Sequence, residues 1–172
     1  MTTPSETWKT PASWVEDPAP SFVYHATNKN AAQDIARNGI RAVVNAWGPA
    51  GGRLGNGFYT HEDPVSSAVY CGEEPIVVLK FQVASGLTGK KSPVDESFWL
   101  GDLDKDEYEA INDGIPFLSF AESSGREIKF NDAGKLQLVG VSQNSTATVM
   151  AANDDASATL EPFVAPADWL NG

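Results

Sequence analysis

Leu54-Gly55-Asn56-Gly57-Phe58-Tyr59-Thr60-His61-Glu62-Asp63-Pro64-Val65-Ser66-Ser67-Ala68-Val69-Tyr70-Cys71 is the stretch on which the fold turns. It follows and completes a glycine-rich run, positions 48–57, with glycine at 48, 51, 52, 55 and 57. Such a loop lets backbone approach a ligand closely. Phe58, Tyr59 and Thr60 then read as a brief strand. Asp63 before Pro64 predicts a helix start, carboxylate at the N-cap and proline at N1, with the helix running through 65–70 and stopping at Gly72.

Upstream, Phe22-Val23-Tyr24-His25 is a short apolar and aromatic run that predicts a buried strand delivering His25 at its carboxyl end. A helix follows, capped by Asn28 or Asn30, with Ala31, Ala32, Ile35 and Ala36 as its apolar stripe and Gly39 as its stop. Residues 40–44 read as a second extended piece. Downstream, residues 75–83 carry six large apolar side chains (Ile76, Val77, Val78, Leu79, Phe81, Val83) and predict a central strand. Residues 104–111 predict an acidic helix, its charges a solvated face. Strands are expected at 117–120, 126–130 and 136–141, the last two joined by an Asn-Asp-Ala-Gly turn. Strands bracketing short helices, with no internal repeat, make an α+β domain.

The 172 residues, 41% hydrophobic, suit one such domain with a core. Its expected limits are 21–143, after an N-terminal arm, 1–20, with four prolines, and before an acidic, partly irregular tail, 144–172. Trp8, Trp14 and Trp169 are large enough to dock these ends onto the domain. A net charge of −11 argues against a nucleic-acid partner held through its phosphates. Cys71 is the only cysteine, so no intrachain disulfide forms. The start lacks a basic and apolar leader and no stretch nears the roughly 20 apolar residues of a membrane span. The expectation is a cytoplasmic protein without membrane attachment, or one exported without a standard signal peptide. His25, His61 and Cys71 lack metal-ligand spacing, and no metal is expected.

The quoted stretch, with Tyr24-His25-Ala26-Thr27 before it and the strand at 76–83 after it, resembles the nicotinamide-binding core of the His-Tyr-Glu ADP-ribosyltransferases, the poly(ADP-ribose) polymerase and diphtheria-toxin-like class. The likeness lies in Gly-x-Gly-Phe-Tyr on a strand and Ser-x-x-Tyr on the following helix, and covers 22–83 well and 117–141 loosely. It implies a split antiparallel β-sandwich with short flanking helices, and NAD as substrate. It also implies roles: His25, with Thr27 assisting, for a ribose hydroxyl; Ala26 backbone, where the family carries glycine, and Ser67 for the carboxamide; Tyr59 and Tyr70 as walls of the ring slot; Glu127 as the catalytic glutamate. Arg41 or Arg53 would meet the pyrophosphate.

The chemistry agrees with the resemblance. Oxidised nicotinamide is flat and cationic, so two aromatic faces both stack on it and stabilise its charge. Breaking its bond to ribose passes through an oxocarbenium-like sugar, which a carboxylate stabilises. Each residue also has a plain structural reading, His25 as a satisfied strand residue and the tyrosines as rim aromatics. The leading expectation is transfer of ADP-ribose to a macromolecular acceptor, protein more than nucleic acid, by a toxin or effector with an immunity or inhibitor partner. Gly125, where arginine-modifying relatives carry Gln or Glu, argues against arginine as that acceptor. Two other classes stay open: an NAD glycohydrolase or phosphorylase on a related fold, and a non-catalytic binding module.

Overall fold

The computed structural model describes residues 8–40, 54–94, 103–155 and 157–172. In chain order the elements are β1 (Val15–Pro18), β2 (Phe22–Thr27), α1 (Lys29–Asn38), β3 (Phe58–His61), α2 (Pro64–Ala68), β4 (Ile76–Val83), β5 (Thr88–Lys91), α3 (Lys105–Asn112), β6 (Phe117–Glu122), β7 (Gly125–Phe130), β8 (Leu136–Asn144), α4 (Thr146–Asp154) and α5 (Pro166–Asn171). The class is α+β. Two compact units share the chain: Met1–Ala19, Ala42–Tyr59 and Ser85–Ala133 form the first, and Pro20–Arg41, Thr60–Ala84 and Gly134–Gly172 the second. The extended piece expected at 40–44 and the early glycines of the loop lie outside the described residues, apart from Ile40.

In the first unit the strand order is β1-β5-β6-β7. β6 and β7 form a tight antiparallel hairpin, Glu122 opposite Gly125, whereas β5 runs parallel to β6. Parallel neighbours need a crossover, and α3 lies in that connection. It is held at its start by a capping box: the Asp104 side chain accepts from the Glu107 N–H at 2.8 Å, and Glu107 Oε1 from the Asp104 N–H at 3.0 Å. The acidic residues sit at the cap and outer face, while Tyr108, Ile111 and Asn112 are buried. Tyr108 and Ile111 join Leu54, Leu103, Leu118 and Phe120 in one cluster.

Trp8 and Trp14 belong to this cluster, both 3% exposed. The part of the expected arm that is described, from Trp8 on, is therefore not loose: its two indoles lie in the unit's core. The reason is area, since two indoles bury more apolar surface than the surrounding prolines and acids give up. Asp17 adds a polar tie: it accepts from Ser119 Oγ at 2.5 Å and pairs with the Arg126 guanidinium at 2.6 Å.

In the second unit β2, β4 and β8 run antiparallel with β4 interior as its apolar run requires, and Tyr24 of β2 also pairs with His61 at the end of β3, whose first two residues belong to the first unit. Asn28 caps α1 by accepting from the Ala31 N–H at 2.8 Å, and Gly39 (φ +78°) ends it. Asp63 caps α2 by accepting from the Ser66 N–H at 2.8 Å. α2 stops at Ala68, short of the expected Tyr70, because the Cys71 N–H bonds back to the Ala68 carbonyl (3.0 Å) and tightens the chain into a turn.

The tail expected to be partly irregular carries two helices. Ser145 caps α4, Val149 and Ala152 bury its inner face, and Val164 bridges to Val141 of β8. Trp169 Nε1 then donates to Gln143 Oε1 at 3.0 Å. Ala, Ser and Thr look featureless in sequence, yet Ala152, small enough to be buried beside Val149, helps α4 seat its inner face. No helix among the described residues is long and apolar enough to cross a membrane.

Candidate functional site

The second unit contains a cavity of about 280 Å³ bordered by Ala26 and Thr27 at the end of β2, Ser67 on α2, and Tyr70, Cys71 and Glu73 in the following turn. Three residues assigned to nicotinamide, Ala26, Ser67 and Tyr70, and Thr27, assigned to the ribose, thus share one concave surface. Its size falls just under the roughly 300 Å³ at which drug-sized sites begin, enough for one ring and its carboxamide. Ala68, Ile76, Val78 and Val149 form an apolar cluster, against which Ala26, Val69 and Cys71 pack. Ala26 therefore both packs on this cluster and borders the cavity.

Tyr70 is 86% exposed. It stands beyond the end of α2 rather than on it, so its ring is a rim face open to solvent. Ser67 Oγ donates its proton to the Pro64 carbonyl at 2.6 Å, which leaves its oxygen to accept. An amide N–H is the group it can bind. His25, one residue before Ala26 and cross-strand from Leu79, is not among the residues bordering the cavity.

Tyr59 and Glu127 belong to the first unit. The Tyr59 hydroxyl donates to the Gly55 carbonyl at 2.5 Å and accepts from the Leu54 N–H at 2.9 Å. With its hydroxyl committed to its own turn, Tyr59 has ring surface to offer. Burial raises its pKa most, and the Glu127 carboxylate raises it further. Tyr59 stays a neutral phenol, and the effect places Glu127 within electrostatic reach of it. Glu127 lies inside β7, cross-strand from Phe120, rather than at the strand's opening. Arg41 and Arg53 lie outside the described residues.

Sequence reasoning missed two buried polar groups. His61, at the end of β3, is 5% exposed, and its Nδ1 accepts from the Asp63 N–H at 2.8 Å. Burial lowers its pKa, so the imidazole is neutral with its proton on Nε2. Lys129 is fully buried on β7. Alternation of Glu127 and Lys129 with Ile128 and Phe130 reads as a solvated face. A lysine between two apolar residues just before Asn131 was the only hint. Among the described residues no group of three or more His, Cys, Asp or Glu is placed to hold a metal.

No protein-family model matches the chain, and no curated protein does. Among solved structures, a chain of the M. tuberculosis MbcT-MbcA toxin-antitoxin complex shares 10% identity at a TM-score of 0.50, over 89% of this chain and 99% of that one. At that identity the likeness shows a common fold.

Proposed function

We propose that the protein is an NAD-consuming toxin that breaks the nicotinamide–ribose bond and passes ADP-ribose to a small acceptor, water or phosphate, rather than to a macromolecule. The observation that carries this reading is the fold shared with a chain of a toxin-antitoxin complex along nearly the whole of both chains. The cavity of the second unit agrees with it, since Tyr70 presents a ring face and Ser67 an acceptor to a nicotinamide carboxamide. Glu127, the residue the resemblance assigns to the ribose 2′-hydroxyl, would stabilise the oxocarbenium-like sugar.

A small acceptor is favoured because the hairpin ahead of Glu127 has only Ser123 and Ser124 in its turn, with Gly125 (φ +136°) after them. Neither the turn nor position 125 supplies an acid or amide to orient an arginine acceptor. Water would give ADP-ribose and a proton; phosphate would give the 1″-phosphate. A toxin of this kind needs an inhibitor protein in the cell that makes it, as the neighbour has in its complex.

The test is nicotinamide release from labelled NAD, with and without phosphate and with a cell lysate. Release is expected, with label in a small product and none on protein. Tyr70→Ala is expected to raise KM for NAD about tenfold, the cost of one lost stacking face. Label on lysate protein would favour transfer to a macromolecule instead. No release under any condition would sink the enzymatic reading.

A further inference from the structure

The Lys129 amine donates to the Tyr108 hydroxyl at 3.2 Å, to Asn112 Oδ1 at 2.9 Å and to Asn131 Oδ1 at 2.6 Å. Asn131 Nδ2 in turn donates to Asn112 Oδ1 and to the Ile115 carbonyl, both at 2.8 Å. One amine thus ties β7 and the residue after it to α3. The stem matters equally. A Cβ at Gly57 would stand 2.1 Å from Lys129 Cδ, and one at Gly55 (φ +83°) 2.5 Å from the Tyr108 hydroxyl oxygen. Residues 55 and 57 therefore rest directly on the lysine stem and the tyrosine ring, with no room for a methyl. Tyr59 hangs its hydroxyl on residues 54 and 55 of the same turn. Glu127, two residues before Lys129, shares its face of β7.

We propose that Lys129 is a positioning residue: its buried stem and amine are the floor that fixes residues 54–57, and through them Tyr59, beside Glu127. Its kinetic consequence rests on the NAD-cleaving reading; its structural consequence does not.

The groups around the amine support a titration that can be followed. Its acceptors are neutral oxygens. Burial pushes the amine down to about 7. The titratable group facing it from α3 is Tyr108, pushed up by its own burial to about 12 and hence neutral; Glu127 is two residues away on the same strand, and burial alone accounts for the amine's shift. Deprotonated, the amine still donates twice and accepts from the Tyr108 hydroxyl, so the hub survives with altered polarity. The folded pKa, about 7, lies below the ordinary 10.5, so the unfolded chain binds the extra proton between those values. Stability contributed by this group rises with pH across that window, and is lowest below about 7, where both states carry the charge.

NMR of the free protein tests the proposal. The Leu54 amide and Tyr59 ring resonances are expected to move with a midpoint near neutral pH. In Lys129→Met that movement is lost, and the Leu54 amide exchanges at least about tenfold faster. Tyr108→Phe, which keeps the ring and removes one oxygen accepting from the charged amine, moves the midpoint to lower pH; this variant decides the matter if Lys129→Met does not fold. With NAD, Lys129→Met lowers kcat about tenfold and leaves KM within about twofold. Leu54 and Tyr59 resonances insensitive to pH, and unchanged in both variants, would overturn the proposal. Absence of NAD cleavage by the wild type would remove only the functional reading, because these resonances are read without substrate.

Discussion

Glu127→Gln lowers nicotinamide release by roughly 10³-fold while leaving the melting temperature within about 2 °C, if the assigned chemistry holds. Glutamine keeps the shape of the side chain and can still accept from a ribose hydroxyl. It lacks the negative charge, and charge is what the developing oxocarbenium needs. The loss should fall on kcat, because nicotinamide binding is assigned to the cavity bordered by Ser67 and Tyr70 and not to Glu127. Fold damage is not expected, since position 127 is only partly buried, at a strand site whose partner Phe120 is unaffected by an isosteric change. Glu122→Gln, at the turn of the same hairpin two residue pairs along, is the control and stays near wild type. Equal losses in both variants would mean that general acidity of this face, not Glu127, drives the reaction. An undiminished rate in Glu127→Gln would remove the residue from the mechanism.

The elements legible in the sequence are those whose apolar pattern does its work locally. β4 reads as interior because a strand buried on both sides is nearly continuous in large apolar residues, and α1 and α2 read from Asn28 and Asp63 at their caps. β1 and β5 were not legible. Val-Glu-Asp-Pro contains a proline and two acids, and Thr-Gly-Lys-Lys has no β-former beyond threonine. Their pairing depends on each other: Glu16 stands opposite Lys90, and a Cβ at Gly89 would lie 2.4 Å from the Phe117 carbonyl oxygen. Only in three dimensions do those choices make sense.

The candidate site divides in the same way. Ala26, Thr27, Ser67 and Tyr70 were legible together through the resemblance of their motifs to a nicotinamide-binding core; nothing in their local pattern alone pairs them. Lys129 was not, because the period-two pattern of β7 marks its face as solvated. The face is instead covered by α3, whose Tyr108 and Asn112 reach the amine from about 20 positions away in sequence. Nothing local in Glu-Ile-Lys-Phe announces a helix above it. Similarly, the sequence cannot show that Tyr70 lies past the last helical turn, since Ser-Ala-Val-Tyr continues the helical pattern that the Cys71 to Ala68 hydrogen bond breaks.

Trp14→Ala is the substitution expected to cost most in stability. The indole is 3% exposed, and its Nε1 donates to the Trp8 carbonyl at 2.5 Å. Truncation removes packing against a cluster that includes Trp8, Leu54, Tyr108 and Phe120, and leaves a buried carbonyl without that donor. Losses of about 3–5 kcal/mol are usual for such a change, set against roughly 5–15 kcal/mol for a whole protein. At about 2–4 °C per kcal/mol for a chain of this size, the melting temperature should fall by roughly 6–20 °C in calorimetry. Trp169→Ala, on a half-buried residue whose indole bonds to Gln143, gives the smaller drop. The effect of Trp14→Ala should also reach the turn that carries Tyr59, because Leu54 lies in the same cluster and donates its N–H to the Tyr59 hydroxyl. Faster exchange at the Leu54 amide, at a temperature where the variant is still folded, would show that residues 8–14 support this turn. A fall of less than about 3 °C would instead mean that the cluster closes without residues 8–14.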